Sequence, residues 1–254
     1  MPLAEIFYGM TAKGGYVIND YFDIQVDTAN DKVLVGRNIK RRVALILHAF
    51  FTFTGVVLGF YISYSVGYTI LGVILPITAY TLWMYSLKFK RRLFIGNFII
   101  AKLSSVFTIF LALFEIFANI YHHGTVRLVA ILCVYALFSF ICSLMHEVIK
   151  DSKSFIGDKK FNIKTLATEW GIARTKYFLN GLSLSLVFMV ILVSFYEFSE
   201  NLPALSYAAA AVISPLIVLN LWIYKAQELS DYNKIAKLNK FIIFTGILSL
   251  YFFI

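Results

Sequence analysis

The sequence predicts an all-α, polytopic membrane bundle of about eight spans, and three observations predict it. Of 254 residues, 60% are hydrophobic and 15% charged, whereas an average soluble domain has about 45–50% and about 25%. Mean hydropathy is +0.78. The apolar residues fall in runs of about 20, enough for a helix rising about 1.5 Å per residue to cross a hydrocarbon core of about 30 Å. This composition excludes intrinsic disorder and a soluble enzyme built on one ordinary core. Four prolines and fourteen glycines leave no room for a long flexible linker, so 1–254 reads as a single integral-membrane domain.

The spans fall in order over residues 4–19, 43–64, 67–87, 93–120, 125–146, 176–197, 204–225 and 239–254. The first is the weakest, with Lys13 among its apolar residues, and reads as a truncated, tilted or interfacial helix. The second to seventh are each long enough to cross, and the eighth stops at Ile254 with little to spare. Cys133 and Cys142 share the fifth span. Their separation of about 13 Å along a helix is too great for a disulfide, and both are expected as buried small side chains. No basic region opens the chain, so no cleavable signal peptide is expected.

Charge placement orients the spans. Of 23 Lys and Arg residues, 20 lie in every second connection: 19–42, 88–92, 147–176 and 225–240. The intervening connections hold only Arg127. The positive-inside rule therefore puts the four basic connections in the cytoplasm. The net charge of +9 is topological, which sets nucleic-acid binding aside. Ten of the 14 acids lie on that same side, and the positive-inside rule does not ask for acids.

Those acids form two stripes. Asn19-Asp20-Tyr-Phe-Asp23-Ile-Gln-Val-Asp27 follows the first apolar run. If the helix continues, Asp20, Asp23 and Asp27 share one face with Asn19 beside them. Carboxylates so close repel unless a cation neutralises them. Hard oxygen ligands of this kind suit Mg²⁺, which is usually completed by waters and substrate phosphates. A solvated helix end is the plain alternative. The second stripe, Glu147, Asp151, Ser154 and Asp158, leaves the fifth span at spacings i, i+4, i+7 and i+11, up to Gly157, which is expected to loosen the helix. Taken alone, a solvated interfacial helix explains it nearly as well. Opposite the first stripe it becomes a second wall for a Mg²⁺–diphosphate, with interleaved Lys and Arg on the outer phosphate oxygens.

The Asn19–Asp27 segment resembles the NDxxDxxxD motif of the UbiA superfamily of intramembrane prenyltransferases. Further segments match in the family's order: Lys32–Arg37 with Ile39–Arg42, then Tyr85-Ser86, Lys90-Arg91 and Gly96-Asn97, then Glu147–Asp151, Gly157-Asp158 and Ile163–Leu166. The resemblance covers essentially the whole chain. It is nearest to the branch of geranylgeranylglycerol-phosphate geranylgeranyltransferases. Two departures stand out. The family has nine transmembrane helices, so a helix preceding Met1 is expected to be missing here. Its second motif, DxxxD, has Ser154 in place of the first aspartate, one carboxylate fewer.

The resemblance implies Mg²⁺-dependent transfer of a prenyl group, with geranylgeranyl diphosphate as the expected donor, to a lipophilic acceptor among membrane lipids. It also implies roles. Asn19, Asp20, Asp23 and Asp27 would bind the first Mg²⁺, and Glu147, Asp151 and Asp158 a second, with Asp23, Asp27 and Asp158 as the candidate catalytic residues. Lys90, Arg91 and Lys164 would hold diphosphate oxygens, as would Arg37 and Arg41, which positive-inside placement also explains. Tyr85 and Ser86 would touch diphosphate or acceptor. Asn97 would orient the site or make a plain helix–helix hydrogen bond.

Other polar residues have blander readings. Lys102 either snorkels or faces the cavity. Glu115 reaches the opposite interface. His122 and His123 lie on the far side without further ligands. Rival functions are a degenerate member that binds isoprenoid diphosphate or lipid without turnover, and a transporter. Transporters place ionisable groups near the midplane, whereas these acids gather at one membrane face, and no internal repeat is present. The longer D-x-x-D-G-x-x-A-R pattern of a CDP-alcohol phosphotransferase is absent.

Overall fold

The computed structural model describes residues 13–15, 17–18, 21–22, 39–90, 92–118 and 125–253. Asn19, Asp20, Asp23, Asp27, Arg37, Arg91, His122, His123 and the Glu115 side chain lie outside the described residues. Every long element described is helical. The helices are α1 (Arg41–Ser65), α2 (Ile74–Met84), α3 (Ile95–Ala118), α4 (Thr125–Lys160), α5 (Leu166–Glu197), α6 (Leu202–Tyr207), α7 (Ser214–Lys225) and α8 (Asp231–Leu248). A 3-10 turn, Thr69–Val73, leads into α2, a π turn, Tyr85–Phe89, ends it, and a second π segment, Ala208–Ile213, joins α6 to α7. Among the described residues, six stretches are long and apolar enough to cross a membrane: Arg41–Ser65, Thr69–Phe89, Arg127–Lys160, Leu166–Glu197, Leu202–Lys225 and Asp231–Phe253. α3 adds 24 residues, of which Ile95–Phe110 forms a shorter apolar helix. This is a polytopic helical membrane bundle, and its many exposed large side chains, among them Phe53, Tyr64, Phe188 and Phe195, match a lipid-facing surface.

The helices differ from the expected spans at their polar ends. α4 does not loosen at Gly157 but runs through it to Lys160. Its 36 residues, about 54 Å of rise, exceed any bilayer core, so its acidic end stands beyond the hydrocarbon. α5 begins at Leu166, ten residues before the expected 176, and breaks at Gly171, whose φ of 78° an L side chain rarely adopts. α8 begins at Asp231 rather than 239. The cysteine expectation holds for Cys142, which is buried, and fails for Cys133, which is exposed. Polar residues extend these helices because backbone hydrogen bonding continues wherever nothing breaks it. Hydropathy marks only where the apolar lining stops.

The chain divides into two compact units, Met1–Ala136 and Leu137–Ile254. In the first, small residues let helices approach. Gly55, Gly59 and Ser63 form one buried stripe of α1, the small-xxx-small pattern that packs helices in lipid. A methyl group added at Gly59 would collide with Leu75 of α2, and one added at Gly72 would lie 2.5 Å from Phe60 of α1. The described part of the weak first span is helical, with Gly14, Gly15 and Ile18 buried. Methyl groups at Gly14 and Gly15 would meet Thr52 Oγ1 at 2.6 Å and Leu82 Cδ1 at 2.8 Å. The Gly14 carbonyl accepts from His48 Nδ1–H at 2.9 Å. This segment therefore packs against α1 and α2.

In the second unit, polar side chains bridge helices. The Ser183 hydroxyl of α5 donates to the Leu216 carbonyl of α7 at 3.3 Å. Lys176 Nζ donates to the Ala226 carbonyl at 2.7 Å. Pro215 has no N–H to give the carbonyl four residues earlier, that of Ala211. The Thr245 hydroxyl of α8 lies 2.7 Å from that oxygen and supplies a donor from outside the helix. Gly246 of α8 presses on the Phe138 ring, where an added methyl would sit 2.5 Å away.

Gly59→Leu is expected to destabilise the protein by about 1–3 kcal/mol through overpacking. Gly181→Leu, which meets nothing within 4 Å, is expected to stay within about 0.5 kcal/mol of the parent. Thermal unfolding in detergent compares the two.

Candidate active site

The second acidic stripe sits on the end of α4 that projects past the apolar span. Val148, Ile149 and Ser152 are buried and anchor this end. Glu147 pairs with Lys150 across one turn at 3.4 Å. Asp151 is half-buried. Asp158 is 6% exposed, an unusual place for a carboxylate unless it is paired or hydrogen-bonded. Ser154 Oγ lies 2.8 Å from Asp158 Oδ2. The Lys150 and Asp151 carbonyls stand farther from that hydroxyl, at 3.1 and 3.4 Å. Its single proton goes best to the carboxylate, the nearest and only charged acceptor. A carboxylate at 154 would carry no proton to give and would repel Asp158. Ser154 thus supports the neighbouring aspartate, a role the motif comparison alone did not reveal.

The loop after Asp158 is built from two caps. Asn162 has a φ of 52°, the left-handed conformation that often ends helices and that Asn tolerates best after Gly. Ile163 N–H reaches the Asp158 carbonyl at 2.9 Å and Asn162 N–H the Lys159 carbonyl at 3.3 Å. These are the two bonds of a Schellman motif. Immediately afterwards Thr165 and Thr168 cap the start of α5 reciprocally: Thr168 N–H donates to Thr165 Oγ1 at 3.3 Å and Thr165 N–H to Thr168 Oγ1 at 2.8 Å. The Thr168 hydroxyl also reaches the Ile163 carbonyl at 2.9 Å. Groups at both helix ends are therefore capped within a few residues, and the exposed Lys164 is carried on a tightly bonded corner close in sequence to Asp158.

The first unit gathers the other described candidates in one turn. The helix widens to a π turn over Tyr85–Phe89, where Lys90 N–H reaches the Tyr85 carbonyl at 2.9 Å. Tyr85 and Ser86 are both buried there. Arg92 lies 5.8 Å over the Phe89 ring. Phe94 has a φ of 63° and sets the chain into α3. Gly96 then passes so close that a methyl would meet the Phe89 carbonyl at 2.9 Å and Tyr85 Cε2 at 3.4 Å. Residues that look scattered in sequence, Tyr85, Ser86, Lys90, Gly96 and the half-buried Asn97, thus belong to one local structure, and such widened turns are frequent at functional sites. Arg41 is exposed at the first turn of α1. Lys102 is exposed on α3.

Among the described residues no group of three His, Cys, Asp or Glu side chains is close enough to hold a metal. Helix geometry explains this. Asp151 and Asp158 are separated by about 10 Å of rise and Glu147 lies about 6 Å farther back, so α4 cannot wrap one ion with all three. Its carboxylates are nevertheless the hard oxygen donors that Mg²⁺ prefers, and Mg²⁺ takes only one or two from a protein when phosphates complete its shell. The donor set fits that use and does not fit an all-protein cage.

The model of the UbiA prenyltransferase family matches residues 3–247. Digeranylgeranylglyceryl phosphate synthase of Thermococcus kodakarensis is 27% identical over 240 residues, covering 93% of this chain and 79% of the relative. The protein of the same name from Sulfolobus acidocaldarius is 27% identical over 253 residues, covering 96% and 84%. A solved structure concerned with digeranylgeranylglyceryl phosphate synthase in membranes superposes with a TM-score of 0.65 at 26% identity, covering 97% of this chain and 82% of that one.

Asn162→Ala is expected to cost about 1–2 kcal/mol, because alanine resists the left-handed conformation. Asn162→Gly, which adopts it freely, is expected to retain full stability. Denaturation of the purified protein distinguishes them.

Proposed function

The chain belongs to the UbiA prenyltransferase family, and from that membership we propose that it transfers a geranylgeranyl group from geranylgeranyl diphosphate to geranylgeranylglyceryl phosphate, with Mg²⁺ as the metal. That it is a multi-pass membrane prenyltransferase, moving an isoprenyl group to a lipid acceptor, follows from the family and the named relatives. The donor, acceptor and metal are the proposed part. The observation that carries this reading is the buried Asp158, held by the Ser154 hydroxyl at the membrane-surface end of a helix otherwise made for lipid. A carboxylate set in place at that boundary suits a reaction with a charged leaving group and an apolar chain.

In the proposed reaction the allylic C–O bond breaks with its electron pair leaving on diphosphate. The acceptor oxygen forms the new C–O bond and gives up its proton to the leaving diphosphate. Mg²⁺, when bound, neutralises charge on the departing phosphates. Asn19, Asp20, Asp23 and Asp27 are proposed to hold the first ion, and a second would take one or two carboxylates from the set Glu147, Asp151 and Asp158, with phosphate oxygens and waters filling its shell. Asp23, Asp27 and Asp158 are the proposed catalytic residues. Lys90, Arg91 and Lys164 would neutralise outer phosphate oxygens, with Arg37 and Arg41 assisting. Tyr85, Ser86 and Asn97, on or beside the π turn, would orient the diphosphate or the acceptor. The apolar bundle keeps water from the allylic cation, and aromatic faces can stabilise it. The basic connections and acidic stripes are placed on the cytoplasmic side by the positive-inside rule.

Ser154 is the departure that favours a binder without turnover. Its bond to Asp158 gives it a constructive role instead, so the transferase reading stands first.

A membrane-fraction assay with radiolabelled geranylgeranyl diphosphate and a panel of acceptors headed by geranylgeranylglyceryl phosphate tests this. Product is expected to require Mg²⁺, to vanish with chelator, and to fall at least about a hundredfold in Asp23→Ala. Ser154→Ala removes one charge-assisted hydrogen bond and is expected to lower kcat about tenfold or more. Diphosphate binding with no product from any acceptor would instead assign binding without turnover.

A further inference from the structure

The first acidic motif begins at Asn19, and the chain reaches it through a helical segment held from two sides. Gly14 and Gly15 are consecutive, so on a helix they point about 100° apart. Gly14 meets α1, where an added methyl would stand 2.6 Å from Thr52 Oγ1 and 3.3 Å from the His48 carbonyl. Gly15 meets α2, where one would stand 2.8 Å from Leu82 Cδ1. Contacts with two helices at neighbouring positions fix how the segment is rotated about its axis. Ile18, 2% exposed, keeps it packed up to the last residue before Asn19.

A smooth glycine face leaves the position along that axis loose, and a hydrogen bond, being short and directional, fixes it. His48 Nδ1 lies 2.9 Å from the Gly14 carbonyl oxygen. A carbonyl only accepts, so Nδ1 carries the hydrogen. Thr52 Oγ1, 3.5 Å from the same nitrogen, backs the ring from the next turn of α1. His48 stands about 10 Å of rise from the Arg41 end of α1, where lipid gives a polar ring no other partner. The other described candidates of this unit share the same frame. Leu82, which Gly15 touches, has its carbonyl held by the Ser86 hydroxyl at 3.1 Å, and Ser86 belongs to the π turn Tyr85–Phe89. The segment before the acidic motif is thus keyed to α1 by His48 and to the π turn through Leu82.

Such keying matters for a metal. Mg²⁺ demands near-octahedral oxygens at about 2.0–2.1 Å. A one-residue slip moves a helix end by about 1.5 Å and turns it by about 100°, enough to withdraw a carboxylate from an ion. Given the Mg²⁺ and the diphosphate donor proposed above, we propose that His48 is a positioning residue for their binding. Its Nδ1–H on the Gly14 carbonyl sets the depth from which the chain presents Asn19, Asp20, Asp23 and Asp27.

The test uses the purified full chain in detergent. It reads the Mg²⁺ concentration that gives half-maximal binding of radiolabelled geranylgeranyl diphosphate, with thermal unfolding alongside to confirm folding. His48→Phe keeps a ring without a donor, His48→Leu removes both, and His48→Asn returns an N–H near the Nδ1 position. His48→Phe and His48→Leu are each expected to raise the half-maximal Mg²⁺ concentration about tenfold, and His48→Asn to stay within about threefold of wild type. In the membrane-fraction assay, the KM for geranylgeranylglyceryl phosphate is expected to stay within about twofold in all three. An unchanged Mg²⁺ requirement in both variants that lack the donor overturns the inference. So does a His48→Asn variant as impaired as they are, and so does loss of folded protein in both, which makes the bond one of stability alone. Wild-type protein that binds the diphosphate with Mg²⁺ but alkylates no acceptor overturns the transferase reading and leaves the role of His48 to stand or fall on the binding data. Wild-type protein that binds no diphosphate overturns both.

Discussion

Hydrocarbon supplies no hydrogen bonds, and most of this structure answers that one constraint. Each backbone N–H and C=O inside the bilayer must find a partner within the protein, which leaves helices as the means for an apolar chain of this kind to cross. The same demand governs the irregular places. Pro215 withholds a donor from the Ala211 carbonyl, and Thr245 of another helix provides one. Beyond the hydrocarbon, where α4 turns into α5, the Schellman bonds of Ile163 and Asn162 and the reciprocal caps of Thr165 and Thr168 tie the two helix ends together within a few residues. Departures from regular helix survive only where such replacements exist.

Once helices are formed, lipid offers them little hydrophobic reason to associate, because acyl chains are as apolar as leucine. Close packing and interhelical hydrogen bonds take over. The first unit relies on small residues: Gly59 under Leu75, Gly72 under Phe60, and Gly14 and Gly15 against α1 and α2. The second adds polar bridges, such as Ser183 to Leu216 and Asn239 to Cys142. Shape thus decides which helix faces meet, while hydropathy decides only that helices exist.

Charge is confined by the same solvent. Carboxylates are affordable where the bundle ends, and α4 exploits this by continuing well past its apolar stretch with Glu147, Asp151 and Asp158 along it. Asp158 is buried even there, and Ser154 supplies the proton that a second carboxylate would lack. On the motif pattern alone this serine counts as a missing ligand. In three dimensions it is a hydrogen-bond donor to the remaining, buried aspartate.

The sequence by itself determined the class of fold, the approximate spans and the family, because membrane insertion reads hydrophobic length and because the Glu147–Asp158 spacing follows from helical periodicity alone. It also grouped Tyr85, Ser86, Lys90 and Asn97 as candidates. Why they belong together was decided by the π turn and by the approach of Gly96 to the Phe89 carbonyl. The extension of α4 through Gly157 was not legible, since a lone glycine weakens a helix by only about 1 kcal/mol and neighbouring packing outweighs that. Nor were the Ser154–Asp158 bond and the Asn239–Cys142 bond readable as motifs. The first depends on a side-chain rotamer. The second joins residues more than eighty positions apart, whose meeting is set by the register of two packed helices and leaves no periodic trace in either one.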